Sequence, residues 1–169
     1  MRLCKALFLI GPAIIIASLR YSVLKVSASS MENTLFDGDV MIVDDCNWLP
    51  HTKQAAMSPC RPRRGQIVVF RSSFDHSLMV KRVIGVGGDH VRVTHATVFV
   101  NGIPVFEPYV HHQSESWPRR EGSGTGEVAL EEQSYFVLGD NRDVSTDSRV
   151  FGPIRAEMLV GIVRARLPK

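Results

Sequence analysis

The sequence predicts a mainly β fold: one antiparallel β domain, partly barrel-like, behind a single N-terminal transmembrane helix. Three observations predict it. Residues 6–19 are apolar except for Gly11, Pro12 and Ser18, with basic residues on both sides. Beyond Ser30, short runs rich in Val, Ile and Phe recur between Gly, Asp, Asn and Pro, the pattern of strands joined by turns. After residue 26 no stretch carries a sustained helical period; residues 157–160 offer a turn of helix at most.

Taken in order, the N-terminal segment comes first. Arg2 and Lys5 precede the apolar run; Arg20 and Lys25 follow it. A membrane span needs roughly 20 apolar residues, which the run reaches only if extended to Val26 with Arg20 snorkelling or facing protein. A cleaved secretory signal peptide fits as well, because Ser27, Ala28 and Ser29 offer a cleavage site. Both readings send the chain to a membrane. The basic extreme N-terminus favours a cytoplasmic end and places the rest on the far side.

The remainder, residues 27–169, reads as one domain, since 169 residues suffice for one sizeable core and are few for two. Strands are expected over residues 40–43, 66–71, 78–84, 90–93, 97–100, 135–138 and 159–163. Asn101-Gly102 between the 97–100 run and residues 103–106 favours a type I′ hairpin, and Pro104 marks its second strand as an edge. Residues 108–127, with His111, His112, Trp117 and a Gly/Ser/Thr run, read as an inserted loop.

The formal charge of +3 is mild and the basic residues are scattered, which argues against a nucleic-acid partner. Arg61-Pro62-Arg63-Arg64 reads as a solvated loop. No Cys-x-x-Cys or His-x-x-x-His spacing supports a metal site, and no cofactor is expected. Cys46 and Cys60 flank a polar stretch. They either pair, closing a loop worth about 3 kcal/mol, or stay free; sequence does not decide between these.

Two residues carry the chemistry. Ser30 follows the apolar segment, and Lys81 stands in Leu78-Met79-Val80-Lys81-Arg82-Val83-Ile84. Alternation puts Met79, Lys81 and Val83 on one face of that strand. A serine hydroxyl needs a base, and a lysine amine serves only when an apolar setting lowers its pKa by about 3 units from roughly 10.4. The strand pattern alone favours a half-exposed or edge strand carrying two basic residues.

Three collinear blocks bear on that choice: Ser30-Met31-Glu32-Asn33-Thr34-Leu35 with Gly38-Asp39; Gly65 to Phe70 with Val80-Lys81-Arg82-Val83-Ile84-Gly85; and Gly139-Asp140-Asn141-Arg142-Asp143-Val144-Ser145-Thr146-Asp147-Ser148-Arg149 with Phe151-Gly152-Pro153. In these the chain resembles the bacterial type I signal peptidases, membrane-bound Ser/Lys-dyad proteases that remove signal peptides. The resemblance implies Ser30 as nucleophile, Lys81 as general base, and the Ser30 backbone N–H as an oxyanion-hole donor. It implies that Ser145 orients the lysine amine by a hydrogen bond and that Asp147 and Arg149 form a structural ion pair around it. Asp140 and Asn141 read as turn formers.

The resemblance also favours a retained anchor, residues 1–26, in the cytoplasmic membrane, with the catalytic domain on the extracytoplasmic side. The implied partners are preproteins bearing signal peptides and the phospholipid bilayer. Two positions depart from the family pattern: Asn33 stands where proline is usual, and Ala28 brings no hydroxyl to the oxyanion hole. Two alternatives stay open: a dedicated Ser/Lys protease of a conjugation or secretion system, and an inactive membrane-anchored module that binds extended peptides, which Asn33 and Ala28 keep alive.

Overall fold

The computed structural model describes residues 20–27, 29–46, 60–94, 97–110 and 126–169. Eleven strands are present among them: β1 (Tyr21–Lys25), β2 (Val40–Asp45), β3 (Ile67–Arg71), β4 (Leu78–Val86), β5 (His90–Val93), β6 (Val98–Val100), β7 (Ile103–Pro104), β8 (Val128–Ala129), β9 (Ser134–Leu138), β10 (Ile154–Arg155) and β11 (Leu159–Leu167). A four-residue helix, α1 (Ser148–Phe151), and a 3-10 turn (Ala156–Met158) lie between β9 and β11.

The strands form a seven-stranded sheet, ordered β1-β2-β11-β3-β4-β9-β10, and a four-stranded sheet, ordered β7-β6-β5-β8. Every pairing is antiparallel. Register shifts at Leu159/Gly161, Val163/Ala165 and Val83/Gly85 bend the larger sheet where an extra residue breaks the ladder. The sheet curls but stays open, with β1 and β10 at its edges.

Three apolar clusters hold the layers. One, on the larger sheet, includes Val68, Phe70, Val83, Val137 and Leu159. Another packs Met31 and Leu35 on Met41, Val43 and Val69. The third joins the two sheets through Ile84 and Phe136 on one side and Val91, Val98 and Val100 on the other. The Asn101-Gly102 hairpin has the expected geometry: φ is +53° and +76°, as a type I′ turn requires. Pro104 lies on the edge strand of its sheet, where a missing N–H leaves no ladder bond unmade.

The N-terminal boundary needs correction. Residues 21–25, assigned from sequence to the end of the anchor, form β1 and pair with β2 from Tyr21↔Asp44 to Lys25↔Val40. Their exposure alternates with period two, as in a strand with one covered face. The reason is electrostatic as well as steric. Arg20 donates to both oxygens of buried Asp44 at 2.7 and 3.1 Å, and Arg164 of β11 shares that carboxylate at 2.6 Å. Arg20 is thus a protein-facing residue that fastens β1 to the sheet.

The apolar run itself, residues 6–19, lies outside the described residues, as does most of the inserted loop 108–127. Among the described residues no helix is long and apolar enough to cross a membrane. Cys46 and Cys60 are joined by a disulfide, so the pairing alternative holds.

Candidate active site

Ser30 lies in a tight turn after β1. Backbone bonds from Glu32 N to Ser29 O, Thr34 N to Met31 O and Leu35 N to Met31 O close it, at 2.8–3.1 Å. Met31 and Leu35 are buried and key the turn into the core. From the other side Asn141 N donates to Ser30 O at 3.1 Å, and Asn141 Nδ2 donates to Ser29 O at 3.2 Å. The two loops meet at Gly139. A Cβ there would stand 2.5 Å from Ser30 O and collide with the Ser145 hydroxyl, so only glycine fits.

Lys81 stands in β4 opposite Val68 of β3. On the other flank β9 pairs with β4 only from Arg82 onward, so Lys81 sits where the sheet opens. It is 3% exposed. Its Nζ donates to Ser30 Oγ at 2.7 Å and to Val80 O at 3.0 Å. Burial pulls the amine from its ordinary 10.5 down to about 8; nearby Asp147 and Asp140 oppose the fall and Arg149 adds to it. Charges of both signs surround the amine, so desolvation decides the direction. An amine partly neutral near pH 8, in contact with a serine hydroxyl, has the geometry and proton affinity of a general base.

Ser145 is beside the pair but not bonded to it. The expected hydrogen bond to Lys81 is absent; the lysine's bonds go to Ser30 Oγ and Val80 O instead. The Ser145 Oγ packs against Gly139 and is buried without a hydrogen-bond partner among the described residues. Asp147 and Arg149 do form an ion pair, Nε to Oδ1 at 2.6 Å and Nη2 to Oδ2 at 2.7 Å. Asp147 is fully buried; it also accepts from Gly139 N at 3.0 Å and caps α1. Arg149 donates to Arg142 O and Ser145 O at 3.0 and 3.2 Å. The pair therefore braces the loop of residues 139–149 against itself.

Asp140 is more than a turn former. It is fully buried and takes both Nε and Nη2 of Arg82, at 2.8 and 2.6 Å, plus the Thr34 hydroxyl at 2.5 Å. Arg82 also donates to Gly65 O at 2.7 Å and lies 3.9 Å from the Tyr109 ring centroid. The signal was present in the sequence: an arginine in a run of Val, Leu and Ile needs a buried acceptor.

Asn33 has φ +90°, so its turn is not the one a proline would make; proline holds φ near −65°. Asparagine tolerates this region through its short polar side chain. Ala28 lies outside the described residues. Among them, the Ser30 N–H makes no hydrogen bond.

A cleft of about 480 Å³ opens at Ser30 and Lys81. Its wall is mostly apolar, with Leu24, Val26, Leu78, Met79 and Val80. A model of the family described as signal peptidase, peptidase S26, matches residues 1–167. The chain belongs to that family.

It is 34% identical over 146 residues to "Signal peptidase I V" of Bacillus subtilis (strain 168), covering 82% of this chain and 81% of that protein. It is 34% identical over 152 residues to "Signal peptidase IB" of Staphylococcus aureus (strain Mu50), covering 83% and 74% respectively. A signal peptidase I crystal structure from Enterococcus faecalis V583 aligns with a TM-score of 0.49 at 27% identity, over 62% of this chain and 98% of that one. As a member of the signal peptidase I group, the chain is a serine endopeptidase, a hydrolase of peptide bonds.

Proposed function

We propose that this chain removes signal peptides from exported preproteins, with Ser30 as nucleophile and Lys81 as general base. The observation that carries the reading is the 2.7 Å contact between Lys81 Nζ and Ser30 Oγ at the floor of an apolar cleft.

The steps follow from the groups present. The neutral amine takes the serine proton as Oγ attacks the scissile carbonyl. The Ser30 N–H, which has no partner among the described residues, donates to the developing oxyanion. The lysine ammonium then gives its proton to the leaving amine. Water enters, the lysine again serves as base, and the acyl ester is hydrolysed. When Oγ becomes acylated, Nζ loses a bonding partner. The buried, unpaired Ser145 hydroxyl is then available to hold the amine, and Asp147 and Arg149 keep Ser145's loop in place.

Substrate lies extended along β4, whose residues 78–81 have no strand partner on the β9 side among the described residues. Main-chain pairing there supplies affinity without sequence demands. The apolar wall suits small side chains at the first and third positions before the cut.

Residues 6–19 anchor the chain in the cytoplasmic membrane, with the β domain on the extracytoplasmic side. The Cys46–Cys60 disulfide supports a domain outside the reducing cytoplasm. Anchoring beside a bilayer raises the effective concentration of substrates whose apolar helix is still embedded.

The test is cleavage of a synthetic preprotein by the full chain in bilayers. Ser30→Ala and Lys81→Ala are each expected to abolish it while leaving the fold intact. Near-normal turnover by either folded variant refutes the assignment.

A further inference from the structure

The segment after β7, Glu107–Val110, touches both loops that frame the dyad and the strand that carries the lysine. Glu107 forms a buried ion pair with Arg142, Nη2 to Oε1 at 2.5 Å and Nη1 to Oε2 at 3.1 Å; the two side chains are 7% and 0% exposed. Arg142 Nε donates to Gly139 O at 2.8 Å, while the neighbouring Asn141 N holds Ser30 O. Tyr109 O–H donates to Glu107 Oε1 at 2.9 Å, so phenol and carboxylate are locked together. The Tyr109 ring covers the guanidinium of Arg82, the residue after Lys81, and Tyr109 O accepts from Asn33 Nδ2 at 3.3 Å in the Ser30 turn.

Each of these contacts constrains a different part of the site. Glu107 acts on the loop that grips the Ser30 carbonyl. Tyr109 acts on β4 beside Lys81 and on the turn beyond the nucleophile. Neither residue touches a reacting atom. A guanidinium presents five donors in a rigid fork, so its carboxylate and ring partners fix the peptide groups around it as well.

We propose that Glu107 and Tyr109 are positioning residues for the reaction: through Arg142 and Arg82 they hold the Ser30 loop and the Lys81 strand at working distance. The inference rests on the dyad reading above. Misplacement of reacting groups by about 1 Å can lower turnover roughly a hundredfold, so such a strap need move its neighbours little to matter.

The experiment compares the full chain with Tyr109→Ala, Tyr109→Phe and Glu107→Gln, measuring kcat, KM and the pH profile on one preprotein, and the folded fraction by circular dichroism. Tyr109→Ala is expected to lower kcat at least about tenfold with KM within about twofold. Its rising pH limb is expected to move up by about half a unit as Arg82 slackens on Asp140, whose charge raises the lysine's pKa. Tyr109→Phe keeps the ring over Arg82 and is expected to restore most of kcat. Glu107→Gln is expected to lower kcat and shift the limb in the same sense.

Unchanged kcat and pH limb in folded Tyr109→Ala and Glu107→Gln overturn this inference alone, whatever happens to thermal stability. Should Tyr109→Ala fail to fold, Glu107→Gln decides on the same readouts. Absence of Ser30-dependent cleavage by the unsubstituted chain overturns the functional reading and this inference together.

Discussion

Asp140 and Arg82 form a buried, two-pronged ion pair one residue along β4 from Lys81, and Thr34 of the nucleophile turn donates into the same carboxylate. Three segments distant in sequence therefore meet on a single acid. Asp140→Asn leaves the Arg82 guanidinium without its counter-charge. Removing one partner of such a pair is expected to cost about 3–5 kcal/mol, seen as a lower denaturant midpoint with unchanged slope. Thr34→Ala removes two hydrogen bonds, one donated to Asp140 and one accepted from Arg82, and is expected to cost about 1–3 kcal/mol in the same measurement.

Lys81 gives a second prediction, in stability. Its folded pKa of about 8 lies below its ordinary 10.5, so between those values the unfolded chain binds more protons than the folded one. Stability from this group therefore rises with pH through that window. Below about pH 8 the buried ammonium is a full penalty, about 3 kcal/mol. Lys81→Met, inactive by the mechanism, is expected to be more stable than the parent at pH 7 and to lose that advantage toward pH 10.5. Urea unfolding at pH 7 and pH 10 checks it.

Asn33 offers a prediction against the family pattern. At φ +90° a proline is excluded, so Asn33→Pro is expected to destabilise the turn by about 1–3 kcal/mol or more and to slow turnover. Asn33→Gly, free to adopt the same φ, is expected to stay within about 1 kcal/mol of the parent. Thermal unfolding and the cleavage rate of both variants are the readouts.

The disulfide has a stabilising rather than catalytic role here. Cys46 is buried with Phe70 and Ile162 in the cluster on the larger sheet, and neither cysteine lines the cleft at Ser30. Reduction, or Cys60→Ser with Cys46→Ala, is expected to lower stability by about 3 kcal/mol while leaving kcat at 25 °C within about twofold. Unfolding with and without reductant, alongside the cleavage assay, tests both parts.

The strands with strong period-two patterns were legible in the sequence. Leu78–Ile84 and His90–Val93 lie within or match observed strands, and Asn101-Gly102 specified its hairpin. Elements fixed by partners far along the chain were not. β1 reads as the tail of an apolar segment until Arg20 finds Asp44, a carboxylate that Arg164 shares. Two-residue β8 and β10 carry no period to detect. At the site, Ser30 and Lys81 were visible through motif blocks. The roles of Asp140 and Arg142 were not, because a local turn signal and a buried ion pair use the same residue types. Asn33 stands where the family has proline; only the backbone shows that it makes a different turn.

The central claim is that the Lys81 amine is the base that activates Ser30. The pH dependence of kcat/KM on a preprotein tests it most directly, since it reports ionisation in the free enzyme. The account predicts a rise of unit slope through about pH 8, lost in Lys81→Ala. A rise only near pH 10, or one that survives in Lys81→Ala, would contradict it.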